Sequence, residues 1–530
     1  MLAPEQQVAT GSATTTVCPF CGSGCCMILA GSTSYPRLNH PVSEGALCLR
    51  GWSAGELLDS PLRVPTAFTR SRGDPLRPAA ADTAIADVAS RLAAIRDRYG
   101  AASIGILGSA RITVEETILL RRLAKALGTP HFDSLQRVGY LHFPPLPLTT
   151  IETATHITVL AANLTVRQPQ AGRRVLRACD RGAHVRFVHS RRVQLVSLGD
   201  EHRVALPGHE LEALGEMADD ELVLVSSEMA LSGQGAQVAQ RLAGKQVLFL
   251  SDYVNQRGAV EAGLHPSPDG LSAWQMLNAA AKGDLKALLV FADDPFEFFP
   301  ALSERAFAGV ELAVVVDAIK TRSARHADVV LPGALLAEKH GTVVNTEGRA
   351  QEFAATRPPL GGWTEGSIAL RLLRAFDGDA PPPPPPSLVP GPVGLAADLP
   401  SDEYPFLAAL DTTLFWNSHA LVGSTITAWR EARGLFADFP PGCITMNPDD
   451  ARKLGVQYAS TVQVSTPDGS VRLPARLHQR MLPGTVWIAM PCWERCGTML
   501  GALEYDPALR IPVFRPRAVR VSRVDAKAGG

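Results

Sequence analysis

Over residues 82–99 the apolar side chains Ile85, Val88, Leu92 and Ile95 recur at three- and four-residue spacing, with Gly100 where a helix would stop. That spacing predicts an amphipathic helix with one buried face. The apolar run SIGILGSA follows and predicts a buried strand. In TVEETILLRRLAKALG, Thr113 and Glu116 form a capping box ahead of a second amphipathic helix that closes at Gly128. The same rhythm returns as strand THITVLAA, helix QAGRRVLRACDR and strand HVRFVHS, then as strands VLFL, ALLVFAD and ELAVVVDA with helical stretches between them. Repeated βαβ units imply parallel sheets covered by helices on both faces, and there are enough here for two such domains. The period changes after PPPPPPSLVPGP, residues 381–392, a stiff extended spacer. Beyond it, TVQVSTPDGSVRLPARLH reads as two β-rich segments around a Pro-Asp-Gly turn and TVWIAMP as another strand. The end of the chain is therefore expected to be a separate β-rich domain. No repeat at solenoid or propeller period is visible.

Composition narrows the class. A chain of 530 residues is too long for one core, and 46% hydrophobic with 19% charged residues is a globular balance. The formal net charge of -1 steers the chain toward neither nucleic acid nor anionic lipid. No run of about 18 apolar residues occurs, so no direct membrane insertion is expected. The opening MLAPEQQVATGSATT lacks a basic start and an apolar stretch. The expected location is the cytoplasm, free or peripheral on the cytoplasmic side of a membrane complex. Nine cysteines, a sparse and odd number, point in a reducing compartment to metal binding more than to a disulfide frame.

Five of the nine lie before residue 50. Cys18, Cys21 and Cys25 follow a C-x2-C-x3-C spacing, and Cys48 stands alone in EGALCLRGW. A tight turn brings two such thiolates to one side, and Gly22 and Gly24 let backbone N–H groups approach the sulfurs. Zinc accepts four thiolates but usually takes them as repeated close pairs. Three close ligands and one distant one suit a [4Fe–4S] cubane, whose four irons each want one thiolate. Cys26 leaves the register of the third ligand open. Cys179, Cys443, Cys492 and Cys496 read most simply as core or surface thiols, the last two, in PCWERCG, with a weak prospect of binding something.

The cluster spacing, closed by a G-x-L-C-x-[KR]-G segment and followed by doubly wound domains, resembles the molybdopterin oxidoreductase superfamily, nearest to the formate dehydrogenase α subunit and the large iron–sulfur subunit of respiratory complex I. The segments that carry the likeness are GSARITVEE, AANLTVRQPQ, SDYVNQRGAVEAG, FADDP, HADVVLPGALLAEKHGTVVNTEGRAQ and ITMNPDDARKLGV. The resemblance implies an α/β chain in four parts. These are an iron–sulfur domain over 1–65, an α/β domain from 66–134 plus 284–380 and a second, dinucleotide-type α/β domain over 135–283. A Pro-rich linker over 381–400 then leads to a C-terminal dinucleotide-binding β-barrel over 401–530. It implies a [4Fe–4S] cluster on Cys18, Cys21, Cys25 and Cys48. It also implies a bis(molybdopterin guanine dinucleotide) site, carrying molybdenum or tungsten or left empty or metal-free. Contacts would come from Arg50, Gly108, Ser109, Arg111, Asn163, Arg191, Asn255, Gly258, Asp294, Arg349, Asn417 and Thr425. Glycine loops at strand ends and fixed guanidinium groups suit the pyrophosphates of such a cofactor.

Three places depart from the pattern. In SLQRVGYLHFPP, Gly139 stands where the family's metal-binding Cys or selenocysteine is expected and Tyr140 where its His follows, with His142 a nearby substitute. In VHSRR, His189 and Ser190 replace an acidic residue and a proline, and Arg50 replaces a frequent Lys with the charge kept. The leading expectation is accordingly an iron–sulfur electron-transfer subunit whose pterin domains are scaffold. Its partners would be other redox subunits, flavin or iron–sulfur proteins linked to NADH, with no nucleic acid. The alternative is an active molybdenum or tungsten enzyme with unusual ligation, such as a formate dehydrogenase catalytic subunit. A third is an assembly protein that uses the cluster as a staple.

Overall fold

The computed structural model describes residues 14–376, 395–411, 442–489 and 492–524. Asn417, Thr425 and most of the Pro-rich linker lie outside them. The described chain forms two compact units, one from 14–137 with 251–376, the other from 138–250 with the described residues after 394.

The first unit is built on a seven-stranded sheet ordered Arg77–Ala79, Ala67–Thr69, Val329–Pro332, Leu312–Asp317, Ala287–Phe291, Ile104–Leu107, Phe132–Asp133. The last five are parallel, the first two an antiparallel edge. Every residue of Ile104–Leu107, Ala287–Phe291 and Leu312–Asp317 is buried, as strands must be when helices cover both faces. Helix Ala81–Tyr99 buries Ala84, Ile85, Val88, Leu92 and Ile95 on that sheet. Each large side chain among them is worth about 1.5–3 kcal/mol on burial, so a single Val88→Asp would strike the core. Helix Val114–Leu127 starts on the Thr113–Glu116 capping box and ends at Gly128 in the left-handed region, φ 79°. The chain leaves Ile104–Leu107 for Phe132–Asp133 on one side and returns to Ala287–Phe291 on the other. Those two central strands therefore frame a topological switch point, where open α/β sheets bind ligands.

A three-stranded antiparallel sheet, Thr14–Val17, Cys26–Ala30 and Thr33–Pro36, carries the first cysteines in its connecting loop within the same unit. Residues 251–282 also pack here, not with the second α/β domain as the 135–283 boundary has it. Helix Ala273–Lys282 leads into strand Ala287–Phe291 and lies against helix Pro300–Gly309, as a crossover must to cover its own sheet.

The second unit holds a five-stranded parallel sheet ordered Glu201–Val204, His184–His189, His156–Leu160, Leu222–Ser226, Gln246–Leu250, with its switch point between the last residues of His156–Leu160 and Leu222–Ser226. It also holds a closed six-stranded barrel of Phe406–Asp411, Thr485–Ala489, Ile444–Met446, Gly469–Leu477, Thr461–Thr466 and Arg517–Arg523. The fold is thus α/β with parallel sheets and a C-terminal barrel. Among the described residues no helix is long and apolar enough to cross a membrane.

Candidate functional site

The antiparallel pair Val17–Cys26 closes the base of the cysteine loop, and Cys18 N–H donates to Cys25 O at 2.8 Å. Cys18 and Cys25 pack together with Phe20, Met27, Leu57 and Leu58. Burial pushes the Cys18 thiol up, and so do the neighbouring sulfurs of Cys48 and Cys21. Arg50, buried itself, hydrogen-bonds Cys48. Burial works against its charge, but Cys21, Cys48 and Cys18 more than offset this and hold the guanidinium above its usual pKa. Cys26 sits apart from this group against Arg37, its thiol raised by burial. Among the described residues no three His, Cys, Asp or Glu side chains converge closely enough to hold one metal ion.

The loop is clamped from outside. Thr346 N–H donates to Gly22 O at 2.6 Å and Gly22 N–H to Ser251 O at 3.0 Å. Asn345 Nδ2 donates to Ser23 O at 3.2 Å and Gln351 Nε2 to Gly24 O at 2.8 Å. A Cβ on Gly22 would stand 2.4 Å from Ser251 Cβ, and one on Gly24, at φ +65°, 2.2 Å from Gln351 Oε1, so both positions require glycine. Arg349, from the same clamping segment, is paired with Glu347 at 2.6 Å and partly exposed.

At the switch point of the seven-stranded sheet, one glutamine bridges the two flanking loops. Gln136 Oε1 accepts from Ser109 Oγ and Ala110 N–H, both at 2.9 Å. Its Nε2 donates to Ala292 O at 3.2 Å and Asp293 Oδ1 at 3.1 Å. Asn255 fixes the first loop further. Its N–H donates to Ala110 O at 3.0 Å and its Nδ2 to Ile112 O at 2.7 Å, while its Oδ1 accepts from Val344 N–H at 2.8 Å. Gly258 is needed for this contact, because a Cβ there would lie 2.2 Å from Asn255 Oδ1. Gly108 likewise faces Leu264 and Phe132 at close range. Asp294 caps a short helix through Phe296 N–H and accepts from Arg322 N–H, Ser323 N–H and Ser323 Oγ. Asn255, Gly258 and Asp294 therefore shape the loops from beneath. Arg111 lies over the Tyr253 ring at 5.0 Å and lines a cavity of about 50 Å³ with Pro19, Asp317, Lys339 and Glu365. Lys339 is buried between Glu116 at 3.1 Å and Glu365. Burial raises the Glu365 carboxyl, with Lys339 pulling it back.

The switch point of the five-stranded sheet is charged instead. Arg167 Nη1 donates to Ser227 Oγ at 3.0 Å and lies 3.9 Å from Glu228. Arg191 reaches Glu228 at 3.6 Å and Asp411 of the barrel at 2.9 Å, with Trp487 beneath its guanidinium at 4.3 Å. His189 Nδ1 accepts from Arg191 N–H at 3.1 Å; with Nδ1 acting as acceptor, the neutral ring's proton belongs on Nε2, 3.8 Å from Glu228. Burial, then Arg191, His202 and Arg167, drives its pKa well below the ordinary value. A cavity of about 30 Å³ lies here, lined by Ala161 and Glu228, just past the ends of strands His156–Leu160 and Leu222–Ser226, and by Leu410 and Trp487 from the barrel. Asn163 stands at the head of the loop after His156–Leu160, accepting from Thr165 Oγ1 at 2.9 Å. Next to His189, which stands where an acidic residue is expected, a carboxylate comes from elsewhere in the chain: Glu210 accepts from Ser190 Oγ, from Gly208 N–H at 2.9 Å and from Gln234 Nε2 at 2.7 Å. Gly139 also belongs to this region, at φ +88° with Ser227 Cβ 2.7 Å from where its own Cβ would be. Tyr140 is buried, edge-on to Phe249 at 5.2 Å, and its hydroxyl is 3.4 Å from Nδ1 of the exposed His142.

Two family models match: "Molybdopterin oxidoreductase" over residues 220–365 and "Molydopterin dinucleotide binding domain" over 422–521. The chain belongs to the molybdopterin oxidoreductase superfamily. Within it, the F420-dependent formate dehydrogenase subunit alpha of Methanocaldococcus jannaschii is 21% identical over an alignment of 679 positions, covering 96% of this chain and 99% of the relative. Formate dehydrogenase H of Escherichia coli is 22% identical, with 96% of each chain covered. The solved structure of acetylene hydratase from Pelobacter acetylenicus shares the fold, with a TM-score of 0.65 at 13% identity over 96% of this chain and 100% of that one. Superfamily motifs in the sequence led to the loops but did not mark Gln136 or Lys339, which lie within quoted segments without belonging to the motif pattern, nor Glu228, Glu365 or Asp411, which lie outside those segments and reach the site only through the fold.

Proposed function

We propose that this chain is the catalytic, alpha-type subunit of a molybdenum- or tungsten-dependent oxidoreductase acting on formate or another small oxyanion, with bis(molybdopterin guanine dinucleotide) and one [4Fe–4S] cluster. One observation carries the reading: Pro19, beside Cys18, and Arg111, on the loop at the sheet's switch point, line one cavity together with buried Lys339 and Glu365. The residues suit the groups. Cys21 and Cys48 neighbour Cys18 and Cys25 packs on it, beside the buried guanidinium of Arg50; thiols too widely spread for one ion suit a cubane, whose four irons each take one thiolate, and Cys25 suits it better than Cys26. Two switch-point crevices, one per sheet, suit the two pterin nucleotides. When bound, the metal centre supplies two-electron redox chemistry at a small substrate. Arg111 holds fixed positive charge toward the cavity and orients an anion there, while Lys339 is engaged by Glu116 and Glu365 at its wall. Arg50, hydrogen-bonded to Cys48, places a fixed positive charge beside the cluster cysteines. Relatives named as alpha subunits support a partner subunit that accepts electrons singly from the cluster.

Gly139 favours a second reading, an electron-transfer subunit without metal chemistry, because neither a sulfur ligand nor space for its Cβ exists there. Elemental analysis of anaerobically purified protein, with formate-dependent dye reduction, tests both. Stoichiometric molybdenum or tungsten with substrate-dependent reduction supports the first. Iron alone with a reducible EPR signal supports the second. About one zinc and no iron sinks both.

A further inference from the structure

Three cysteines outside the cluster meet at one place in the second unit. Cys492 is the residue that precedes helix Trp493–Met499, and Cys496 lies one turn along on the same face. The two thiols share a hydrogen bond. Gly442, adjacent to buried Cys443, donates its N–H to the Cys492 sulfur, and a Cβ on Gly442 would stand 3.9 Å from that sulfur. Cys496 is fully buried whereas Cys492 is only half-buried, so one thiol is reachable and the other shielded behind it.

We propose that Cys492 and Cys496 form a redox-active dithiol, a modification site that reacts with low-molecular-weight disulfides and closes to a Cys492–Cys496 disulfide. Cys492 attacks one sulfur of the small disulfide, forming a mixed disulfide and expelling one thiolate. Cys496 then loses its proton to solvent and attacks the Cys492 sulfur, expelling the second thiolate. Two protein thiols are oxidised and one small disulfide is reduced to two thiols. The environment supports the order of attack. The Cys496 hydrogen bond outweighs burial and, with Gly442 N–H and Arg495, brings the Cys492 thiol down to about 7. The Cys496 thiol is raised, first by that same hydrogen bond, and burial raises Cys443 to about 11. The charged groups facing the trio are Arg495 toward Cys492 and Cys496, and Arg476 and Asp411 toward Cys443. Helical positions four apart hold their Cβ atoms about 5–6 Å from each other, wider than the roughly 3.8 Å of a relaxed disulfide. Closure draws in Cys492, which stands outside the helix ladder. The strained bond is then easily reduced, as suits a reversible site rather than a structural staple.

Trypsin makes the test direct, because cleavage after Arg480, Arg495 and Arg510 puts the two cysteines on separate peptides, 481–495 and 496–510. The full-length holoprotein is incubated anaerobically with oxidised glutathione, quenched with iodoacetamide, digested and mapped by mass spectrometry. A linked 481–495/496–510 pair that disappears with dithiothreitol is expected. The C496S variant should stop at a Cys492–glutathione adduct, and alkylation of Cys492 in untreated protein should be half-maximal near pH 7. Both cysteines remaining fully alkylatable in excess oxidised glutathione overturns the proposal, and so does a link from Cys492 to Cys443. The wild-type map needs no variant to fold.

Discussion

The two parallel sheets solve the same problem with different chemistry. Each frames a crevice where its strand order reverses, and each must hold apart two loops whose backbone groups face that crevice. In the seven-stranded sheet the loops are joined by a neutral amide, Gln136, between Ser109 and Asp293. In the five-stranded sheet they are joined by Arg167, on the segment after His156–Leu160, which reaches Ser227 and Glu228 after Leu222–Ser226, and Arg191 ties Glu228 in turn to Asp411 of the barrel. A neutral bridge costs little desolvation and fixes geometry through directional bonds. A buried ion network is costly to assemble and more costly to leave half-made. The second crevice is therefore the one in which single substitutions should be least tolerated.

The sharpest way to break this contrast is Arg191→Ala, which removes the guanidinium shared by partly buried Glu228 and buried Asp411. A loss of about 3–5 kcal/mol in denaturant-unfolding stability is expected; a loss below about 1 kcal/mol would remove the distinction between the crevices. Next in size is Gln136→Leu in the neutral crevice, where Ser109 Oγ and Ala110 N–H lose their acceptor, at a cost of about 1–3 kcal/mol in the same measurement. Gly139→Ala should cost about 1–2 kcal/mol from the left-handed backbone alone, with a further cost from the Ser227 contact. Combining it with Ser227→Gly should recover the part due to the clash and not the part due to φ, and full recovery would mean that the backbone there relaxes. The smallest effect near neutrality is on acid stability. His265, in the first unit, has its pKa lowered to about 4 by burial, and His189, in the second, is lowered well below 6.5. The unfolded chain binds these protons first, so stability is complete above about pH 6.5 and falls as pH drops toward 4. Thermal unfolding across that window checks it: His265→Gln should flatten the slope, and an unchanged slope would exclude His265 as a source.

How legible this was follows from where each signal sits. The helices at 81–99 and 114–127 and the strands of both sheets could be read directly, because local periodicity and capping residues specify them. The cysteine sheet could not, since strands of four or five residues around a turn carry too little pattern. The boundary at 283 failed for a related reason, because a crossover helix reads the same whichever sheet it covers. Loops bearing Ser109, Arg111 and Asn163 were visible as glycine-rich or family-like motifs. The resemblance implies Asn255 and Asp294 as cofactor contacts, and in the folded chain their side-chain atoms hydrogen-bond the loops themselves. Only the folded chain distinguishes a polar group aimed at a ligand from one aimed at the loop that meets it.

Asn255 reaches three separate points of the chain at once, the carbonyls of Ala110 and Ile112 and the amide of Val344. The loop it supports is ordered by folding itself, before any guest arrives. A ligand docking on that loop forfeits little chain entropy, and its affinity is correspondingly free of the penalty that a floppy lip would impose.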